Sequence, residues 1–196
     1  MYRKIFFFFI LIYLLNINSI FSKSLKIIAI VNDNLITNID LENETKILSI
    51  INKKKITNDF KNIAINNLIE EAIKTREIEK ENLTIDKNLI DRYFLGLIKN
   101  LDLNIDTIDK ELHILIKKKI KIDKLWNDLI VKKYSWKISI NMSEIDKKLH
   151  KYNKEILSDE KIKEELILEE KNKKLAVFSK YHLNMLKKQS LIKYVK

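Results

Sequence analysis

The sequence predicts a mainly α-helical protein with a small β element. Three observations carry that expectation. The 196 residues include one glycine, Gly96, and no proline, so tight β-rich turns have little to work with. Apolar residues recur in i, i+4 rows through the middle of the chain. Short runs rich in β-branched residues stand near the two ends.

The N-terminus is taken first. Arg3 and Lys4 form a basic head, Ile5 to Leu15 carries no charge, and Ser22 and Ser24 are small residues suited to signal-peptidase cleavage. This is the layout of a secretory signal peptide over 1–24. A retained anchor is the alternative, but Asn16, Asn18 and Ser19 interrupt the apolar run well short of the roughly 20 residues of a spanning helix. Either way the remainder is expected to be exported.

Leu25 to Val31 reads as a strand, Asn32-Asp33-Asn34 as a turn and Leu35 to Thr37 as a short returning strand. Asn38 suits a helix N-cap, followed by Asp40, Glu42 and Glu44 at the favourable end of the helix dipole. That helix runs to about Ile51, and Lys53-Lys54-Lys55 breaks it. The next spans about 58–81, with rows Ala64-Leu68-Ala72 and Ile65-Ile69-Ile73, and Glu70 spaced to pair with Lys74. Asp86 is placed to cap a third helix to about Asn100, and Asp106 a short fourth ending near Lys117. Ile122, Leu125, Trp126, Leu129, Ile130 and Tyr134 define a fifth over 122–134. WKISI at 136–140 alternates like a strand, and Asn141 with Glu144 opens a helix to about Leu157. Residues 158–174 read as a charged helical connection. An apolar face returns from Leu175, and Leu191, Ile192, Tyr194 and Val195 suit a last short strand.

Composition excludes several chemistries. No cysteine means no disulfide, thiol nucleophile or zinc-thiolate site. One glycine cannot build a phosphate-cradling loop or a nucleophile elbow. His113, His150 and His182 lack ligand spacing and read as surface or packing residues, and the carboxylates sit where caps and ion pairs explain them. No enzyme, metal or cofactor is expected. The net charge is +11, and removing Arg3, Lys4 and Lys23 leaves 35 basic against 27 acidic residues. A richness in Lys, Asn and Ile explains most of that excess, and nucleic acid is not an expected partner of an exported chain.

Four stretches share a resemblance. AIVNDNLITNIDLENE (29–44) resembles the opening of SurA-type periplasmic chaperones, where two strands lead into the first helix. NNLIEEAIKTREIEKENLTID (66–86) is similar to the family's second helix and following turn, and WKISINMSEIDKKL (136–149) to its strand and cap. MLKKQSLIKYVK (185–196) is similar to its ending, with Lys187 at an arginine position. The family's parvulin-type prolyl isomerase domain has no room here, because only 158–174 separates the matching regions.

The resemblance implies a SurA-like N-terminal chaperone domain over 25–157, the connection 158–174, and a C-terminal helix and strand over 175–196 folding back onto it. Short N-terminal, middle and C-terminal strands would share one small sheet. The implied function is an ATP-independent periplasmic holdase for unfolded envelope polypeptides, outer-membrane β-barrel precursors above all, with the outer-membrane assembly machinery as a further partner. Rival readings are a membrane-anchored envelope adaptor, an inactive divergent relative of prolyl isomerases, and a lipid or nucleic-acid binder driven by charge. The expected client groove is apolar and aromatic, lined by Tyr93, Phe94, Leu97, Trp126, Ile130, Tyr134, Phe178 and Met185.

Overall fold

A computed structural model describes residues 24–151 and 160–195. The expected signal peptide falls almost wholly outside the described residues, as does the expected last stretch of the helix running to Leu157. Among the described residues the chain forms β1 (Ile27–Val31), β2 (Asn34–Thr37), α1 (Asn38–Asn52), α2 (Asn58–Lys80), α3 (Lys87–Asn100), α4 (Lys110–Tyr134), α5 (Met142–Lys151), α6 (Glu160–Gln189) and β3 (Ile192–Tyr194). Two single 3-10 turns, Ile105–Thr107 and Ser135–Lys137, flank α4. The protein is mainly helical with one small antiparallel sheet, as the sequence predicts.

β1 is the central strand, between β2 and β3. It pairs Ala29 with Ile36 and Val31 with Asn34 on one side, and Ala29 with Tyr194 and Val31 with Ile192 on the other. Asn32 turns the hairpin at φ 53°, a conformation asparagine tolerates. Its backbone N–H donates to Leu191 O at 2.8 Å, and its side-chain oxygen accepts from Leu191 N at 3.0 Å. One turn residue thus fixes both the hairpin and the arrival of β3. With a single glycine in the chain, the other left-handed positions fall to Lys53, Asn82 and Asp102.

The expected middle strand does not form. Residues 135–137 make a 3-10 turn and 138–141 are irregular. β1 is flanked by β2 and β3, so the segment has no place beside the central strand, and it pairs with neither edge strand. The third strand of the sheet is the C-terminal one.

Helix starts follow local chemistry, with one shift. Thr37, not Asn38, caps α1: its hydroxyl accepts from Asp40 N at 3.2 Å while Asp40 accepts from Thr37 N at 2.8 Å, a reciprocal capping box. Asn38 instead ties down the chain before β1, accepting from Lys26 N and donating to Ser24 O. Asp86 caps α3 as expected, through Asn88 N at 2.8 Å. The expected fourth and fifth helices are one helix, α4, capped by Asp109 rather than Asp106. The lysine-rich stretch 117–121 does not break it, because Lys117 pairs with Asp91 of α3 at 2.7 Å and Lys118 with Glu71 of α2 at 2.8 Å. On α2, Lys74 turns to Asp123 at 3.2 Å and Glu70 to Lys187 at 3.8 Å, so the expected Glu70–Lys74 pair gives way to contacts between helices.

Residues 160–174, the described part of the expected charged connection, are helical as expected and run unbroken into the C-terminal segment. They are the first half of the single helix α6. Ile145 and Leu149 of α5 bury against Leu166 there, and Lys148 pairs with Glu170 at 3.0 Å. The second half of α6 joins the main body. Ala29, Val31, Ile36, Ile69 and Ile73 form a core under the sheet, against which Leu183 and Leu186 pack. Ile78, Ile122, Leu125, Trp126, Leu129 and Ile130 form a second core, covered by Leu175 and Phe178. A third, around Ile47, Phe94, Ile98 and Leu112, joins α1, α3 and α4.

Candidate functional site

The expected groove residues separate into different environments. Trp126 and Ile130 are each 2% exposed, inside the core between α4 and α6. Trp126 Nε1 donates to Ser179 Oγ at 2.8 Å, and Tyr134 stacks on Phe178 with ring centroids 5.0 Å apart. These four side chains come together, but as an interhelical core. Phe94, also 2% exposed, belongs to the separate core of α1, α3 and α4. Tyr93 lies on the opposite, exposed side of α3, with Lys124 Nζ 3.8 Å from its ring centroid. Met185 is half-buried on α6. No single aromatic groove unites these residues; their i, i+4 spacing marks helix packing, with packing demands claiming the aromatics first. Of the eight, only Leu97 lines the cleft described next.

That cleft has a volume of about 430 Å3 and opens between α1, α2, α3 and α4. Ile47, Leu48, Ile51, Leu97, Ile116, Ile120 and Ile122 give it aliphatic walls, beside which Glu70, Lys74 and Asp123 stand, all three held in ion pairs. Its floor is ionic. Lys119 Nζ lies 2.7 Å from both Glu44 Oε2 and Glu71 Oε2. Glu44, only 3% exposed, also accepts from Asn67 Nδ2 at 2.9 Å, and Lys118 reaches the other oxygen of Glu71. Burial alone would push the Lys119 ammonium down, but Glu71 and Glu44 outweigh it and hold its pKa above the usual range. Burial likewise raises the Glu71 carboxyl, and Lys119 and Lys118 outweigh that and hold it low. The floor is therefore charged and internally neutralised, and the walls are free to take apolar side chains.

Sequence reading missed this site because its members come from four helices with no common motif. The one local signal was the lysine-rich stretch 117–121, which falls between the expected end of the fourth helix and the start of the fifth. A lysine that shares a helical row with Leu112 and Ile116, as Lys119 does, marks an inward-facing charge.

A second polar cluster locks α6 in place. His182, 3% exposed, places Nδ1 2.8 Å from Tyr134 Oη and Nε2 3.6 Å from Glu77 Oε1. Lys133 bridges Glu77 at 3.3 Å and Glu81 at 2.8 Å, and Lys132 and Lys133 hold the Glu81 carboxyl down at about 2. Burial holds the His182 pKa below its ordinary 6.5, with Glu77 offsetting only part of that. An imidazole with a lowered folded-state pKa weakens the fold as pH drops from 6.5 through that lower value, because the unfolded chain takes the proton first. His182→Gln should therefore flatten the loss of thermal stability between neutral pH and about pH 5. An unchanged pH profile of the melting temperature would refute the assignment.

Among the described residues no three His, Asp or Glu side chains converge to hold a metal ion, and no helix is long and apolar enough to cross a membrane. No protein-family model matches the chain, and no curated protein matches it.

Proposed function

We propose that the chain is a SurA-like holdase reduced to its helical core, binding unfolded exported polypeptides, such as outer-membrane barrel precursors, without ATP or covalent chemistry. The observation that carries this reading is the open cleft with aliphatic walls contributed by α1, α3 and α4. Its size lies within the roughly 300–1,000 Å3 of ligand pockets, enough for a few apolar side chains of an extended segment. Contact through branched aliphatic walls gives weak, broad selectivity, which suits many clients. The pairing of the opening hairpin with the C-terminal strand supports the same reading, since the resemblance implies that the chain's end folds back on its start. The client surface in this proposal is the cleft, in place of the buried aromatics.

The test is dilution of an unfolded outer-membrane barrel protein into buffer with and without this protein, followed by light scattering. The expected result is suppression that persists at raised salt. Ile120→Asp and Leu97→Asp, each placing a carboxylate on the cleft wall, should abolish it. A melting curve identifies any variant that fails to fold. No suppression by the wild type, or full suppression by both folded variants, overturns the reading.

A further inference from the structure

We propose that the closed end of the α1–α2 hairpin is a docking surface for an anionic phospholipid bilayer. The two helices run antiparallel, with Glu44 bonded to Asn67 and Leu48 facing Ile63 across a groove nearer the turn. The connection is Lys53-Lys54-Lys55-Ile56-Thr57. Lys53 adopts φ 51° as the left-handed cap of α1, donating its N–H toward Ile50 and Ser49, which turns the following lysines off the helix end. All three lysines are exposed, and among the described residues none pairs with a carboxylate. This contrasts with α4, where Lys117, Lys118, Lys119, Lys132 and Lys133 are all in ion pairs.

Apolar side chains surround the same turn. Ile51, Ile56 and Ile63 are 37%, 49% and 47% exposed, and Ile63 lines a groove of about 670 Å3 together with half-buried Leu48 and Phe60, the lysines Lys54 and Lys55, and Asn52, Thr57 and Asp59. Lys61 adds a fourth cation nearby, and Asp59 is the single acid between Leu48 and Ile63. The surface is thus an apolar tip with unneutralised ammonium groups around it. Ammonium groups act as point charges that suit a layer of phosphate headgroups, while aliphatic side chains enter the acyl boundary. An acidic polypeptide is the competing partner. It would be expected to meet directional donors as well as charge, but the groove offers only two neutral donors, of which Asn52 already donates to Leu48 O, and Asp59 would repel an acidic chain. The surface shares Leu48 and Ile51 with the client-binding cleft, but none of its four lysines lines that cleft, so charge reversal at the turn separates the two.

The chain contains no cysteine, so Ile56→Cys provides a unique position for an environment-sensitive fluorophore, with Val177→Cys on α6 as the control. Each labelled full-length protein is mixed with vesicles of phosphatidylcholine alone or of phosphatidylcholine and phosphatidylglycerol in equal parts. The expected result is a blue shift at position 56, but not at 177, only on the phosphatidylglycerol vesicles and reduced by salt. Adding K53E, K54E and K55E to the Ile56→Cys protein should weaken this response on the order of 100-fold, while aggregation suppression stays unchanged. No shift at 56, an equal shift at both positions, or insensitivity to charge reversal overturns the proposal. A shift produced by an unfolded glutamate-rich peptide and not by the vesicles overturns it in favour of the acidic polypeptide.

Discussion

Truncation after Lys174 should abolish cooperative unfolding. The deleted segment carries Leu175, Phe178, Leu183, Leu186 and Ile192, which cover two of the cores, together with Ser179 and His182, the partners of Trp126 and Tyr134. Each lost apolar contact forfeits about 1.5–3 kcal/mol when the side chain was fully buried, less for these half-buried ones. Five of them still rival the roughly 5–15 kcal/mol that holds a whole domain folded. The truncation also removes β3 and leaves β1 with one neighbour, and an isolated hairpin is marginal in water. Far-UV circular dichroism during heating measures the effect. A truncated chain that melts sharply within a few degrees of the full chain would show that α6 is an appendage.

Lys119→Met should cost about 3–5 kcal/mol at neutral pH, although methionine fits the volume well. The substitution leaves Glu44 and Glu71 on the cleft floor with their shared cation gone, and Lys118 remains on Glu71 alone. Two further outcomes identify the mechanism. Because Lys119 and Lys118 hold the Glu71 carboxyl below its ordinary 4.5, the wild type keeps this stabilisation above that pH and loses it as pH falls through the lower folded value. The variant should behave oppositely, since protonation relieves the repulsion between its two under-compensated carboxylates, so the gap between the two melting curves narrows in acid. Combining Glu44→Gln and Glu71→Gln with Lys119→Met should recover most of the loss, because the unpaired charge is removed. A triple variant as unstable as the single one would mean that Lys119 acts through packing of its stem.

Local signals in the sequence were strong where one residue decides the outcome. The Asn32 turn, the Asp86 cap and the apolar rows of α2 and α3 could all be read directly. Misreadings arose where a distant partner decides. WKISI alternates like a strand, but alternation does not name a partner, and the place beside β1 goes to β3. The lysines near 117–121 fell between two expected helices because their acids, Asp91, Glu71 and Glu44, sit 26 or more residues earlier. Residues 160–174 looked like a solvated link because only Leu166 is deeply buried there, and its partners are on α5. For the site, sequence periodicity finds apolar faces but does not divide each face between core and cleft. Trp126 and Leu97 both satisfy the spacing; only the packing of α6 over the first, and the gap between α1 and α4 beside the second, separate them.

The position of β1 between its neighbours also sets an order of events. Its first partner follows within a few residues and its second about 160 residues later. A hairpin forms in microseconds, but β3 has to be synthesised before it can pair at all. Until then one edge of β1 is bare, and Ala29 and Val31 lack part of their cover. A nascent chain of this protein is therefore itself a sticky, unfinished sheet until residues 192–194 emerge and cover the open edge of β1.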